Sequence, residues 1–260
     1  MSDSSGGHIG AITCVHCGDN SGTAVVTGGA DGALRLWAVS RRKGNSAKTD
    51  EMSRLKYLSD RDKEFGSMQD RGINDMFVAK TLWGHGSAIT SICYSFDHGL
   101  VVSGGRDGLI CVHLAQKGHF VRSMKEVLGA SVDNLLLSEV GYLAAHSKES
   151  NQLSLFWLNG QFLKSAICPD VATMTLNRPG NVLACGRTTG ILELRELSSL
   201  TVLCEYDLSS HGGVSSLWFS DDGQFLMAGS SDGSLTILTD TEQRLQHLSA
   251  QLMKAPVFGV

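Results

Sequence analysis

Short apolar runs alternate with polar turns along the chain, and the alternation recurs as a unit. Each unit has a His or Gly-His start, an apolar run, a turn of the Gly-Asp-Gly type and a second apolar run. Three copies are clear, and they contain the turns Asp31-Gly32, Asp107-Gly108 and Asp232-Gly233. Two weaker copies lie between the second and the last. Apolar runs of this length, bounded by Gly-rich turns, predict antiparallel β-strands.

A tandem unit of roughly 40 residues is typical of a β-propeller, in which each unit forms one four-stranded blade. The sequence therefore predicts an all-β WD-repeat β-propeller with about five recognisable blades. The repeats span about 8–39, 80–120, 121–163, 164–203 and 204–247. Propellers of this repeat type usually close with seven blades, and an open ring would expose strand edges. Five repeats favour a partial seven-bladed ring that is the C-terminal piece of a larger protein; a true five-bladed ring and a ring completed by another chain stay open.

The His, Asp and hydroxyl landmarks predict a structural hydrogen-bond network in each clear blade. The turn Asp accepts a hydrogen bond from the His that opens the blade, and a strand hydroxyl and an indole N–H complete the network. The members are His8, Thr27, Asp31 and Trp37 in the first blade, His85, Ser103 and Asp107 in the second, and His211 and Asp232 in the last. His113 stands in the Trp position of the second blade, while Ala228 and Leu238 replace the hydroxyl and the Trp in the last. Because this trio recurs, whereas an active site needs one copy, a Ser-His-Asp triad is disfavoured.

Composition narrows the function only slightly. The 260 residues are 42% hydrophobic and 18% charged, with a formal net charge of -4, so nothing indicates an electrostatic nucleic-acid partner. The sequence has no apolar run long enough for a membrane span and no signal peptide, which predicts a cytoplasmic protein without direct membrane insertion. The seven scattered cysteines favour buried thiols over a disulfide framework. No metal or cofactor is expected, because the cysteines of Cys14-Val15-His16-Cys17 would point to opposite faces of a strand.

Residues 40–78 interrupt the repeat with mixed charge and few aliphatic side chains. This composition predicts a charged, largely disordered surface loop inserted between the first and second blades. The alternative is a regulatory or docking segment, since Arg41-Arg42-Lys43 lies beside the hydroxyls of Ser40 and Ser46.

The turns supply the candidate binding residues. Arg106 and Arg187 are interpreted as equivalent positions just before a turn, where they would line one rim and meet an acidic peptide. The alternative is that both are solvated turn residues. Enzyme chemistry would need a single constellation that breaks the repeat; the phosphate-binding Gly-x-x-x-x-Gly-Lys-Ser/Thr loop and the His-Glu-x-x-His motif are both absent from the sequence. No catalytic residue is therefore assigned.

The segment 80–125 resembles the C-terminal WD-repeat propeller of the BEACH-domain proteins, the neurobeachin and lipopolysaccharide-responsive anchor family. The resemblance rests on Leu82-Trp83-Gly84-His85, on the strand and turn residues up to His113, on Gly118-x-x-x-Arg122 and on Phe156-x-x-Asn159-Gly160. It extends from about His8 to Leu238. The Trp-Asp signature itself is lost, because Ala38 follows Trp37.

The resemblance implies a non-catalytic scaffold that binds other proteins or peptides. Members of this family join pleckstrin-like and BEACH modules to the propeller and act in vesicle trafficking or membrane dynamics, so association with membranes would pass through a parent protein or a partner. The alternative is a free-standing WD-repeat adaptor, either a substrate receptor or a signalling scaffold. A propeller enzyme is the least favoured function.

Overall fold

The computed structural model describes residues 7–17, 24–39, 76–95, 98–125, 129–220 and 222–239, and antiparallel β-sheets make up almost all of its regular structure. The chain divides into two compact units, residues 1–137 and 138–260. Strands that follow one another along the chain are neighbours in their sheet. The five antiparallel sheets formed by the described residues confirm the all-β prediction.

The first unit contains two complete sheets. The first sheet consists of β1 (Ile12–Cys17), β2 (Ala24–Gly29), β3 (Leu34–Val39) and β4 (Met76–Leu82). The second consists of β5 (Ile89–Ser95), β6 (Leu100–Gly105), β7 (Leu109–Leu114) and β8 (Phe120–Lys125). Strand β9 (Asn134–Leu137) ends this unit and packs beside β5.

The second unit begins with three strands of the third sheet, β10 (Tyr142–Ser147), β11 (Gln152–Trp157) and β12 (Phe162–Ile167). The fourth sheet consists of β13 (Val171–Leu176), β14 (Val182–Arg187), β15 (Ile191–Glu196) and β16 (Val202–Asp207). A short 3-10 helix (Ser209–His211) precedes the described strands of the fifth sheet, β17 (Val214–Phe219), β18 (Phe225–Ser230) and β19 (Leu235–Thr239). Within the described part of the chain, no helix is long and apolar enough to cross a membrane.

Each unit has its own core, formed where neighbouring sheets pack face to face. The core between the first two sheets consists of Val26, Leu34, Leu36, Leu82, Ile89, Ile92, Val101 and Ala115. The core between the fourth and fifth sheets consists of Val182, Ala184, Leu192, Leu194, Leu208, Val214, Phe219, Leu226 and Ala228. In the first four sheets the second and third strands are largely buried on both faces, and most of their side chains are apolar. A polar side chain on these strands therefore needs a partner inside the protein.

A bulge near the start of the first strand fixes the register of four sheets. The pairing shifts between Ile12 and Cys14, Ile89 and Ser91, Val171 and Thr173, and Val214 and Ser216. In three of these sheets the extra residue has a hydroxyl that donates to a carbonyl oxygen of the second strand: Thr13 to Gly28 at 2.9 Å, Thr90 to Gly104 at 3.0 Å and Ser215 to Gly229 at 3.0 Å. Since a one-residue shift reverses which side chains face the core, this bulge determines which residues meet at the end of each sheet.

The segment that interrupts the repeat connects β3 to β4, two strands of the first sheet. Strand β4 pairs with β3, with Leu34 opposite Leu82 and Trp37 opposite Val78. The prediction that the insertion separates two blades was therefore wrong, and residues 76–78, which the sequence interpretation assigned to the loop, belong to β4. The composition identified the insertion, but the apolar part of β4, residues 76–79, is too short a run to reveal a strand that belongs to the preceding sheet. Residues 40–75, including the basic cluster at 41–43, lie outside the described residues.

Candidate functional site

In the first sheet the four predicted network residues are in contact. The His8 ring places Nδ1 3.0 Å from Asp31 Oδ1 and Nε2 2.8 Å from Thr27 Oγ1, and the Trp37 indole N–H donates to Thr27 Oγ1 at 2.7 Å. In the neutral tautomer with the proton on Nδ1, each donor in this chain has one acceptor. The network joins the segment before β1 to β2, to β3 and to the turn between them.

The second sheet repeats this geometry with a serine. His85 Nδ1 lies 3.1 Å from Asp107 Oδ1, and Nε2 lies 2.8 Å from Ser103 Oγ. His113 is opposite Val101 in the register, as Trp37 is opposite Val25. However, its Nε2–H donates to the carbonyl oxygen of Trp83 at 3.0 Å. Burial lowers the pKa of His113, so this ring is neutral and is part of the packing.

The fifth sheet keeps only the outer part of the network. His211 Nδ1 lies 3.2 Å from Asp232 Oδ2, and both side chains are largely exposed, at 47% and 43%. Ala228 occupies the hydroxyl position and Leu238 the Trp position. The network of this sheet is therefore limited to the His-Asp pair.

The Asp-His-Ser geometry of the second sheet resembles a hydrolase triad, but its serine hydroxyl is not accessible to a substrate. Ser103 is completely buried, and Thr27 of the first sheet is only 5% exposed. In the fifth sheet the His-Asp pair is exposed, but Ala228 replaces the hydroxyl. The complete networks are thus buried and the exposed one has no nucleophile, which favours structural roles for these residues.

A Gly-x-Ser-x-Gly pattern does occur in this exposed turn, at residues 229–233. A nucleophile elbow places its serine on a sharp turn from a strand to a helix. Here the pattern joins strand β18 to strand β19. The Ser231 hydroxyl oxygen accepts the Gly213 N–H at 3.0 Å, while His211 contacts Asp232. The pattern is therefore a β-turn of the repeat.

A glycine beside the turn makes room for the buried His-Asp pairs. A Cβ added at Gly105 would lie 2.6 Å from both His85 Nδ1 and Asp107 Oδ1, and a Cβ at Gly29 would overlap His8 and Asp31 in the same way. In the fifth sheet Ser230 occupies this position, and the His211–Asp232 pair is the exposed one. Glycine therefore stands at this position in the two sheets whose His-Asp pair is buried, and serine in the sheet whose pair is exposed.

The substitution Gly105→Ala should therefore lower the free energy of unfolding by about 1–3 kcal/mol, because the added methyl displaces the pair from its site. Urea denaturation followed by tryptophan fluorescence measures this loss. Gly86→Ala is the matched control, since a Cβ there meets nothing within 4 Å, and its change should stay within about 0.5 kcal/mol. Equal losses in the two variants would contradict this role for Gly105.

The fourth sheet replaces the network by a different set of residues. Cys168 lies in the loop between β12 and β13, as His85 lies between β4 and β5, and Cys185 occupies the position of Ser103. Glu193 is opposite Cys185, and Arg195 is at the position of Trp37 and His113. Glu193 is completely buried; its Oε2 accepts from Arg195 Nε at 2.9 Å and Nη2 at 2.7 Å, and its Oε1 pairs with Arg187.

This geometry corrects the predicted equivalence of Arg106 and Arg187. Arg187 is opposite Val171 as Gly105 is opposite Ile89, so Arg187 occupies the glycine position, and Thr188 is the counterpart of Arg106. Without a His-Asp pair at this place, there is space for a large side chain that turns inward to Glu193. The signal was available in the sequence: counting back three residues from the turn glycines Gly108 and Gly190 gives Gly105 and Arg187.

The end of the second sheet that carries the His85–Asp107 pair presents an exposed surface. Trp83 is 62% exposed, although its carbonyl oxygen accepts a hydrogen bond from His113. Arg106 is exposed in the neighbouring turn. The Gly86 N–H donates to Asp107 Oδ2 at 2.9 Å and fixes the two loops against each other. We call Trp83 and Arg106 the rim pair.

All seven cysteines lie in the described part of the chain, and none of them forms a disulfide. Cys93, Cys111, Cys168 and Cys185 are buried, Cys14 and Cys204 are half-buried, and Cys17 is exposed. Cys14 to Cys17 lie on β1, and no group of three or more His, Cys, Asp or Glu side chains with metal-binding geometry occurs among the described residues.

Comparison with known proteins agrees with this architecture. The family model of the neurobeachin β-propeller domain matches residues 1–247. BEACH domain-containing protein B of Arabidopsis thaliana is 26% identical over 231 residues, which are 88% of this chain and 8% of that protein. A putative neurobeachin homolog of Caenorhabditis elegans is 23% identical over 157 residues, 60% of this chain and 6% of that protein. The chain therefore spans less than a tenth of the length of these two relatives.

Among solved structures, the β-propeller domain of Cps50 (Swd1) from Myceliophteria thermophila superposes with a TM-score of 0.65 at 18% identity, over 89% of this chain and 66% of that one. At this identity the likeness shows the fold alone. Together with the five sheets it confirms the predicted β-propeller, and the family match confirms the resemblance found at residues 80–125.

Proposed function

Because the chain belongs to the family of neurobeachin β-propeller domains, we propose that it is a non-catalytic scaffold that binds other proteins or peptides. We place it in a longer, cytoplasmic BEACH-type protein that acts in vesicle trafficking or membrane dynamics, with BEACH and pleckstrin-like modules upstream. The share of the relatives that the chain covers, 8% and 6%, supports a longer parent. A free-standing WD-repeat adaptor is the alternative.

The burial of the His-hydroxyl-Asp networks is the observation that carries the non-catalytic part of this proposal. Ser103 is 0% exposed and its Oγ is within hydrogen-bond distance of His85, so the group that would attack a substrate is already used in the packing. In the first sheet Thr27 takes the place of the serine, and its hydroxyl oxygen also accepts the Trp37 indole N–H. Repeated networks of this kind stabilise blades and leave the loops to determine binding.

The rim pair is the proposed contact surface in the first unit. Trp and Arg are the residues most enriched among those that dominate binding energies at protein interfaces. The backbone of Trp83 is anchored by His113, which reduces the entropic cost of ordering this loop on binding. The cationic Arg106 on the neighbouring loop, which the Gly86–Asp107 hydrogen bond holds to the Trp83 loop, favours a partner segment with both an acidic and an apolar residue. Arg187 is not part of this surface, because its guanidinium pairs with Glu193.

Affinity capture tests this proposal with the wild-type chain and the double variant Trp83→Ala/Arg106→Glu as baits. We expect the wild-type chain to capture a specific protein, and the double variant to bind the purified partner at least about 10-fold more weakly, since each such hot-spot residue contributes 1 kcal/mol or more. Lys117→Ala changes an exposed residue of the loop between β7 and β8 and should bind like wild type. Equal affinity of all three proteins would exclude the rim pair, and capture of no specific protein would exclude the scaffold.

The size of the endogenous polypeptide distinguishes the part of a longer BEACH-type protein from the free-standing adaptor. Antibodies against residues 40–78 should recover a polypeptide several times larger than 27.8 kDa that contains BEACH-module peptides. Recovery of a 27.8 kDa polypeptide would favour the free-standing adaptor.

A further inference from the structure

The fifth sheet exposes an apolar face that the other sheets bury. Its third strand presents Leu235 and Ile237, which are 63% and 50% exposed, and Trp218 on the same face is 52% exposed. The residues at the register positions of Leu235 and Ile237 in the first four sheets are at most 3% exposed: Leu34 and Leu36, Ile110 and Val112, Leu153 and Leu155, and Leu192 and Leu194. We call Trp218, Leu235 and Ile237 the uncovered face. A contiguous exposed face of large apolar side chains marks an interaction surface.

The sheets within each unit show what covers this face elsewhere. A glycine of the second strand receives a branched side chain from the start of the next sheet: Gly28 receives Ile89, Gly104 receives Val132 and Gly186 receives Val214. A Cβ at these glycines would lie between 2.5 and 2.8 Å from a methyl carbon of that side chain. In the first two sheets the hydroxyl of the bulge threonine also donates to the carbonyl oxygen of the entering residue, Thr13 to Ile89 and Thr90 to Val132. Glycine and hydroxyl together form a socket for the next sheet.

The fifth sheet retains both parts of this socket. Gly229 is opposite Ser216, as Gly104 is opposite Ser91, and Ser215 is the bulge residue whose hydroxyl donates to the Gly229 carbonyl oxygen. A Cβ at Gly229 would meet only the side chains of Ser215 and Ser216 among the described residues. Gly229 does not have a positive φ angle, so the backbone conformation does not require glycine here. The socket is thus present, and no described branched side chain enters it.

We propose that the uncovered face docks a further β-sheet of the same repeat, which belongs to the longer parent polypeptide. The first strand of that sheet begins with a valine or isoleucine whose side chain enters the socket at Gly229. The apolar residues around it cover Trp218, Leu235 and Ile237. This inference rests on the longer parent proposed above and adds the surface through which the rest of that parent packs on this chain.

The rest of this chain does not supply such a sheet. One repeat takes about 40 residues, whereas only 21 residues follow Thr239 and residues 40–75 connect two strands of the first sheet. The chain covers 66% of the superposed Cps50 propeller domain, so a closed propeller of that size has chain for further sheets. A second copy would bring Ile12, the exposed counterpart of Ile89, but its own fifth sheet would stay open. Such a head-to-tail contact extends from copy to copy unless the rotation happens to close a ring.

Hydroxyl-radical footprinting tests the proposal on two forms of the protein. One is the isolated 260-residue chain, and the other is the endogenous polypeptide recovered with antibodies against residues 40–78. We expect Trp218 to be oxidised at least about 5-fold more slowly in the endogenous polypeptide, because the docked sheet shields its side chain from the solvent. Phe162 is the internal control, since it is 44% exposed on β12, outside both the uncovered face and the rim pair. Its oxidation rate should be the same in both forms.

Three results would overturn the proposal, and each has a different meaning. A long endogenous polypeptide whose Trp218 is oxidised as fast as in the isolated chain would exclude the docked sheet and leave the longer parent intact. An endogenous polypeptide of 27.8 kDa would exclude the parent and the docked sheet with it. Protection of Trp218 in the isolated chain that increases with its concentration would assign the uncovered face to a second copy.

A charged substitution on the face makes the test specific. Ile237→Glu in the endogenous protein places a carboxylate where the docked sheet packs, so Trp218 should be oxidised at the rate of the isolated chain. Ile167→Glu makes the same change at a residue of β12 that is 78% exposed, and Trp218 should stay protected. Unchanged protection of Trp218 in Ile237→Glu would contradict docking at this face. If Ile237→Glu does not fold, the comparison of the two wild-type forms decides.

Discussion

Replacing Glu193 by glutamine should lower the free energy of unfolding by about 3–5 kcal/mol, the range found when one partner of a buried ion pair is removed. The carboxylate is completely buried between two guanidinium groups whose side chains are only 6% and 18% exposed. A neutral amide would leave these two positive charges in the sheet without a counter-charge. Glutamine is nearly isosteric with glutamate, so the loss reports on charge and hydrogen bonding rather than on a cavity. Denaturation by guanidinium chloride, followed by circular dichroism, measures it.

Two further variants make this expectation specific. Glu205 is directly opposite Glu193 on β16 but is exposed, so Glu205→Gln should change the free energy of unfolding by no more than about 0.5 kcal/mol. The triple variant Arg187→Met/Glu193→Met/Arg195→Leu removes all three charges and should be more stable than Glu193→Gln, because apolar residues of similar size often replace a buried ion cluster without loss. A triple variant less stable than Glu193→Gln would show that the ion cluster contributes net stability.

The residues that the sequence did not reveal are those in the fourth sheet. The run Ile191 to Leu194 reads as a buried strand, and Glu193 within it is a lone charge in an apolar pattern. Its partners come from a neighbouring strand and from two residues further along the same strand, so only the register shows that they meet. The predicted network consists of His, Asp and hydroxyl residues at fixed positions. In the fourth sheet Cys168, Cys185 and Arg195 fill the corresponding places with different chemistry, which that sequence pattern does not contain.

The first and second sheets were predictable because their networks depend on local sequence. His8 and His85 precede their first strands by a few residues, and Asp31 and Asp107 stand in turns whose glycines are unmistakable. Each Asp is tied to these local landmarks, with Gly32 and Gly108 at φ angles of 73° and 71° that favour glycine. The local sequence does not predict that the His211–Asp232 pair is exposed, because exposure depends on the packing of the whole sheet.

The three turn aspartates differ in how many groups hold them. Asp31 accepts from His8, Arg35, and the N–H groups of Ile9 and Ala33. Asp107 accepts from His85 and two N–H groups, and Asp232 from His211 and one N–H group. Burial raises the pKa of Asp31, but its hydrogen bonds more than offset this, and the pKa lies well below its usual range. The ionised form is therefore favoured more in the folded protein than in the unfolded chain.

Asp31→Asn should accordingly lower the free energy of unfolding by about 2 kcal/mol near neutral pH, because asparagine loses the charge-assisted hydrogen bonds to His8 and Arg35. An unfolded aspartate has a pKa of about 3.9, so the stabilisation by Asp31 is complete above that pH and decreases as the pH falls below it towards the lower folded-state pKa. The advantage of the wild-type chain over Asp31→Asn should thus begin to decrease below about pH 4 and should be smaller at pH 3 than at pH 7. Urea denaturation of both proteins at pH 7 and at pH 3 measures the difference. Asp232→Asn, at an exposed pair, should show a much smaller difference at neutral pH, and an Asp31→Asn effect as large at pH 3 as at pH 7 would exclude the ionised carboxylate as the source of the stability.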